Sequence, residues 1–210
     1  MYIPDAFHES DPGRLQAFMA ENSFATLISP AEAGPVATHL PLLLDEKAGP
    51  KGTLLGHMAR ANPHWRELEC GHPVLAIFHG PHEYISPDWQ SSELALPTWN
   101  YAAVHVYARP ALIEDARRVR QLLDDLVGAN ESGRPTPWAN DLPEEFRSKM
   151  ERAIVAFELS IERVEGKFKL SQNRPAADQK GALKGLESER PGSQLADLWR
   201  PLLKDLADTR

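Results

Sequence analysis

The stretch Val155-Ala156-Phe157-Glu158-Leu159-Ser160-Ile161-Glu162 decides the fold class. Val155, Phe157, Leu159 and Ile161 fall on one face, and Ala156, Glu158, Ser160 and Glu162 on the other. Alternation sustained over this length marks a strand half buried against a core. Glu165-Gly166 then reads as a turn into Lys167-Phe168-Lys169-Leu170-Ser171. Further strand sequences lie upstream, at 24–28, 36–44 and 53–58, separated by the turn pairs Gly34-Pro35 and Gly49-Pro50. Pro41 restricts the second of these to an edge or a bulge, because proline donates no ladder hydrogen bond. Residues 73–79 read as a strand bounded by Gly80-Pro81. Residues 99–108 read as another, with Trp99, Tyr101, Ala103, His105 and Tyr107 on one face. Such meander spacing points to an antiparallel sheet or barrel.

Helical sequence surrounds these strands. Asp11-Pro12 opens a helix with Leu15, Phe18 and Met19 on one face. Val119, Leu122, Leu123 and Leu126 give a second helix its apolar stripe, with Gly128 as its stop. Residues 131–140 are Pro-rich and polar and read as loop, and 143–152 as a short helix. From Asp178 onward the sequence is helical, interrupted at Pro191-Gly192, with a stripe of Leu195, Leu198, Trp199, Leu202 and Leu206. There is no internal repeat.

Composition narrows the function classes. The 210 residues carry 42% hydrophobic and 25% charged side chains, ordinary for a globular protein. A formal net charge of -7 argues against a broad nucleic-acid-binding face, though a local basic patch survives it. The single cysteine, Cys70, excludes an internal disulfide and fits a reducing compartment. No signal-peptide pattern and no membrane-length apolar run occur, so the expectation is a cytoplasmic protein. Neither Gly-x-Ser-x-Gly nor a glycine-rich phosphate loop is present. Cys70 follows Glu67 and Glu69, whose charge disfavours a thiolate. His39, His57, His79 and His105 lie in or at the ends of strands but lack metal-ligand spacing, so no metal is expected.

Three segments carry candidate chemistry, each with two readings. In Leu54-Leu55-Gly56-His57-Met58-Ala59-Arg60-Ala61-Asn62-Pro63-His64-Trp65, a strand leads to Arg60 and a helix start. Asn62 suits the N-cap and Pro63 the first helical position. Free N–H groups there, with Arg60 beside them, can seat a phosphate; otherwise this is a capped helix with a solvated arginine. Trp89, Trp99 and Tyr101, with Asn100, either stack on a heteroaromatic ring or pack in a core. Lys167, Lys169, Arg174, Lys180 and Lys184, around Ser171-Gln172-Asn173-Arg174, either bind a phosphate or nucleic acid or form a solvated face.

Taken in order, six pieces resemble the PaiB family of FMN-binding split-barrel proteins, known as negative transcriptional regulators. They are Met1-Tyr2-Ile3-Pro4 with Phe7, Ala37-Thr38-His39-Leu40-Pro41, the Gly56 to Trp65 segment, Phe78-His79-Gly80-Pro81-His82-Glu83-Tyr84-Ile85-Ser86-Pro87, Pro97-Thr98-Trp99-Asn100-Tyr101, and Lys169-Leu170-Ser171-Gln172-Asn173-Arg174. The resemblance implies a mainly β fold with peripheral helices: a six-stranded antiparallel split barrel like that of pyridoxamine-phosphate oxidases. It implies a barrel domain over 1–175 with a helical extension over 176–210. It implies a homodimer with FMN at the subunit interface. Arg60 and Asn62 match the phosphate-holding positions, with Thr38, His39, His57, Met58 and Ala59 lining the approach. Thr98, Trp99 and Asn100 would face the flavin, and Lys169, Ser171, Asn173 and Arg174 would come from the partner chain. Two other functions compete with a regulator: a flavin-dependent oxidoreductase, with His39, His57 or Tyr101 as proton donor, and a haem-binding or haem-degrading split barrel. The family's regulatory role admits DNA binding, yet the sequence holds no helix-turn-helix and its charge is acidic.

Overall fold

A computed structural model describes residues 1–208, with side chains up to residue 203. The side chain of Leu206 and residues 209 and 210 lie outside the described residues. Eight strands form one sheet: β1 (His8–Glu9), β2 (Phe24–Ser29), β3 (Val36–Pro41), β4 (Leu43–Asp45), β5 (Thr53–Ala59), β6 (Val74–Ile85), β7 (Thr98–Ile113) and β8 (Ile154–Lys169). Their order is β3-β2-β6-β7-β8-β5-β4, with β1 on β8. Six of the strands are long; β1 and β4, of two and three residues, are additions at the margins. The helices are α1 (Pro12–Glu21), α2 (Trp65–Glu69), α3 (Ala116–Glu131), α4 (Glu144–Arg152), α5 (Ala176–Glu189) and α6 (Gln194–Asp208). The fold is therefore mainly β with peripheral helices.

The chain divides into two compact units. The first holds Met1–Phe18, His79–Val104 and everything from Glu165 onward; the second holds Met19–Phe78 and His105–Val164. In the second unit β5 pairs antiparallel with β8, Gly56 opposite Phe157 and Met58 opposite Val155. β2 pairs with β3 along its whole length. β3 also touches β5, which is not its ladder partner, so the strands curl back towards a barrel. Leu27, Leu42, Leu54, Ala76, Phe78, Phe157 and Leu159 fill the interior. In the first unit Phe18 packs on Phe168, with Ala102, Val104, Leu170, Leu186, Leu195 and Trp199 buried.

Several local expectations change. The segment 36–44 is two strands, not one: the backbone breaks at Leu42, whose N–H bonds to Ser23 O. Pro41 ends β3, an edge strand, as a missing donor requires. β6 runs unbroken through Gly80-Pro81, and β8 through Glu165-Gly166. Both glycines serve close approach, not turns. A Cβ on Gly80 would stand 2.4 Å from the Phe18 ring, and one on Gly166 2.4 Å from Leu15 and 2.8 Å from Glu9 O. α3 continues past Gly128 and is capped by Asp115, whose carboxylate accepts from the N–H groups of Arg117 and Arg118. On β7 the alternation holds, with the aromatic face the outer one. Asn100, Ala102, Val104, Val106 and Ala108 point inward, while Trp99, Tyr101, His105 and Tyr107 are more exposed.

Candidate functional site

The expected site residues fall into two groups, one per unit. Thr38 and His39 lie on β3, His57, Met58 and Ala59 on β5, and Arg60 and Asn62 in the turn before α2. Asn62 does not cap the helix directly, because α2 starts at Trp65 and spans only five residues. Its Oδ1 accepts the His64 N–H at 3.1 Å, and its Nδ2 donates to Thr38 Oγ1 at 3.1 Å. So short a helix builds little dipole. Arg60 is committed elsewhere. Its Nε donates to Arg152 O at 2.9 Å and an Nη to Ile154 O at 2.7 Å, while its N–H bonds to Ala153 O. The guanidinium thus clamps the start of β8.

His64 is the node that sequence reasoning passed over. Its Nδ1 lies 2.7 Å from Thr38 Oγ1 and its Nε2 2.8 Å from Ser29 Oγ, so Ser29, His64, Thr38 and Asn62 form one chain of hydrogen bonds. Ser29 and His64 are buried. Burial holds the His64 pKa below the usual imidazole range, against a smaller opposing pull from Glu67. The spacing Asn-x-His after a strand was its only sequence signal. His39 bonds Thr26 Oγ1 at 3.0 Å on an exposed face. His57 differs: its Nδ1 is buried with no hydrogen-bond partner among the described residues, and burial lowers its pKa. Met58 is buried and Ala59 exposed.

The second group gathers where β7 begins and β8 ends. Lys169 Nζ donates to Thr98 Oγ1 and to Trp99 O at 2.8 Å. Asn100 Nδ2 donates to Ser171 Oγ at 3.0 Å, both side chains buried. Ser171 adopts φ 61°, a left-handed conformation rare for a residue with a Cβ. Gln172 holds the bend, its Oε1 accepting the Leu170 N–H at 2.6 Å and its Nε2 donating to Phe168 O. The Arg174 N–H bonds back to Ser171 O at 2.9 Å. Asn173, between them, has no hydrogen bond among the described residues.

Three cations crowd this bend. Burial first, then the charges of Lys167 and Arg174, lower the Lys169 pKa. Lys167 is itself buried, donating to Tyr2 O at 3.1 Å and lying 5.2 Å from the Tyr101 ring centroid. None of the three makes an ion pair among the described residues. Asp178, the acid within electrostatic reach of Arg174, is saturated by the Ser92 hydroxyl at 2.6 Å and the N–H groups of Ser91 and Ser92; these bonds hold its carboxyl below the usual range. Beside the cations Trp99 is 55% exposed, its ring 6.2 Å from His82 and 6.1 Å from Tyr84. Trp89 is not part of this face: it packs on α5, where a Cβ on Gly181 or Gly185 would meet it at 2.2 Å, and donates to Glu189. Cations without an ion pair, with hydroxyl donors beside them, suit a phosphate-like dianion, and an exposed indole suits a flat ring.

Among the described residues no group of three or more His, Cys, Asp or Glu side chains is placed to hold a metal, and no helix is long and apolar enough to cross a membrane.

Known proteins share both the fold and the sequence. Residues 1–163 match the family described as "Putative FMN-binding domain". The chain is 36% identical over 208 residues to the protease synthase and sporulation protein PAI 2 of Bacillus subtilis, covering 97% of this chain and 99% of that protein. The FAD and heme binding protein of Mycobacterium smegmatis has a similar fold, with TM-score 0.59 and 18% identity over 77% of this chain and 73% of that one. So does the flavocytochrome Anf3 of Azotobacter vinelandii, with TM-score 0.59 and 16% identity over 77% and 69%. By the extent of the family match and the identity to PAI 2, this chain belongs to the PaiB family.

Proposed function

We propose that this protein binds FMN as a homodimer, with the cofactor at the subunit interface, and serves as a negative transcriptional regulator of the PaiB type. The observation that carries the cofactor is the trio Lys167, Lys169 and Arg174, three cations that make no ion pair among the described residues, beside an exposed indole. Like charges brought this close, with only the hydrogen-bonded Asp178 among the described residues within electrostatic reach of Arg174, are unfavourable unless a further anion completes them. Lys169 and Arg174 would hold the phosphate, with Thr98 and Ser171 as hydroxyl donors, Asn100 fixing Ser171 and Trp99 facing the ring. Bound FMN would supply reversible electron transfer, which makes redox state a usable signal. Thr38, His39, His57, Met58, Ala59, Arg60 and Asn62, the other expected cofactor residues, would line the approach to the flavin, with Arg60 and Asn62 shaping that wall through their bonds within the protein. A net charge of -7 favours a role for the bound flavin over direct reading of DNA.

Purified protein titrated with FMN should quench or shift flavin fluorescence to saturation at about one FMN per chain, and a visible spectrum should carry flavin bands and no Soret band. No fluorescence change at saturating FMN would remove the cofactor. A Soret band would replace it with haem. A light-scattering mass equal to one chain would remove the dimer.

A further inference from the structure

We propose that α4 is a docking surface for a second copy of this chain, with the two α4 helices packed antiparallel about a two-fold axis. α4 has two unlike faces. Glu144, Arg147 and Glu151, three and four residues apart, point towards α3. Arg120 of α3 bonds Glu151 at 2.9 Å and Glu144 at 2.6 Å, and Arg147 bonds Asp124 at 2.8 Å. These pairs fix how the helix is rotated. The opposite face then presents Phe146, 49% exposed, and Met150, 42% exposed, one helical turn apart. Leu142, one turn earlier and just before the helix, is 38% exposed, and Trp138 in the preceding loop is 47% exposed. Four large apolar side chains thus lie uncovered within thirteen residues of sequence, on a helix whose polar face is already engaged.

Charge selects the occupant. Glu145 and Lys149 run along one flank of the apolar stripe, one residue before Phe146 and Met150 respectively. Both are exposed, and neither makes an ion pair among the described residues. In an antiparallel pair related by a two-fold axis, equivalent flanks face each other end for end. The acid of one copy then meets the base of the other, twice. A parallel copy would lack this match, and the antiparallel arrangement also opposes the helix dipoles favourably. A two-fold contact uses the same patch on both copies, so it closes after one pairing and does not polymerise. Nine residues of helix span roughly 14 Å, short of what a standard interface of about 800 Å² per partner needs, so association should depend on concentration. This contact uses no residue of the cation trio and does not rest on flavin binding.

Sedimentation velocity of the full chain from about 1 to 500 μM, a range set to bracket a weak interface, tests this. The wild-type mass should rise with concentration to twice that of the double variant Phe146→Glu, Met150→Glu. Glu145→Lys alone and Lys149→Glu alone should each weaken association about tenfold or more, by setting like charges opposite one another. The combined exchange Glu145→Lys, Lys149→Glu should restore it. These two positions are exposed, so fold loss does not confound the reading, and FMN uptake should be unchanged throughout. A wild-type mass equal to the double variant's at every concentration overturns the proposal. So does a combined exchange that associates no better than the single ones, which would leave the stripe to some other partner.

Discussion

The two groups of candidate residues are built on opposite principles. Around Arg60, Asn62 and His64 nearly every polar atom is answered by the protein: Arg60 by the carbonyls of Arg152 and Ile154, Asn62 by Thr38 and the His64 N–H, His64 by Thr38 and Ser29. Around Lys169 hydrogen bonds are met but charge is not: three cations make no ion pair among the described residues, beside a serine at φ 61° and a half-exposed tryptophan. A satisfied network adds stability and has little left to offer a ligand. An unsatisfied, strained one lowers stability and is complementary to something absent from the chain. The comparison assigns structure to the first region and binding to the second.

The largest expected effect tests the first assignment. His64→Ala should lower the folding free energy by about 3 kcal/mol, because it opens a cavity and strips partners from buried Ser29 and from Thr38. Urea denaturation measures this, and a loss under about 1 kcal/mol would mean the network is not what holds the region. Next in size, Lys169→Ala should weaken FMN binding by roughly 1.5–3 kcal/mol, about 10- to 150-fold in Kd, through loss of a charge-assisted contact. Its unfolding midpoint should stay level or rise, since like-charge repulsion is relieved. Binding unchanged by this variant would take the phosphate away from the trio. Smaller still, Arg60→Ala should cost about 1 kcal/mol of stability for two exposed hydrogen bonds, and shift FMN affinity less than about threefold. An affinity loss matching that of Lys169→Ala would return the phosphate to the turn before α2.

How far the sequence reaches follows the same division. The alternation at Val155 to Ile161 led to β8, and the periodic stripes led to α1 and α3, because burial of one face imposes a period on the chain itself. Gly80, Gly166 and Gly128 misled because a glycine reads the same whether it makes a turn, admits a neighbouring ring or rides inside a helix. Only the positions of Phe18 over Gly80 and of Leu15 and Glu9 over Gly166, distant in sequence, show that these two admit a neighbour. On β7 the period was legible but not the inward face, since small Ala and Val side chains pack inward while the aromatics stay out. The residue types for an anion site were visible at Lys169 and Arg174. Their lack of counter-ions was not, because an ion pair joins residues that local sequence does not connect. Arg60 shows the converse: a lone arginine in a motif suggested a ligand, and its actual partners are carbonyls about ninety residues away.

The smallest effects are those of pH, and they should separate the regions by sign and by window. His57 and His64 both titrate below the usual imidazole range, chiefly through burial. The unfolded chain therefore binds protons first as pH falls, and ΔG of unfolding decreases once pH passes below about 6.5. The loss grows until pH falls below the folded-state pKa values. Thermal unfolding from pH 7.5 to 5 should show a falling midpoint, and His64→Gln should flatten part of the slope. A midpoint that rises on acidification would mean one of these imidazoles gains a partner when charged. In the other region the base is Lys169, lowered by burial and by two neighbouring cations. A bound phosphate would favour its charged form and draw its pKa back up, so binding takes up a proton wherever free Lys169 is already neutral. FMN affinity should then hold steady on the neutral side and decline as pH rises through the lowered Lys169 pKa. Lys169→Arg, whose charge does not titrate in this range, should bind FMN with that alkaline decline removed. An unaltered decline in Lys169→Arg would assign the titration to another group and break the link between the unanswered cation and the anion it is built to meet.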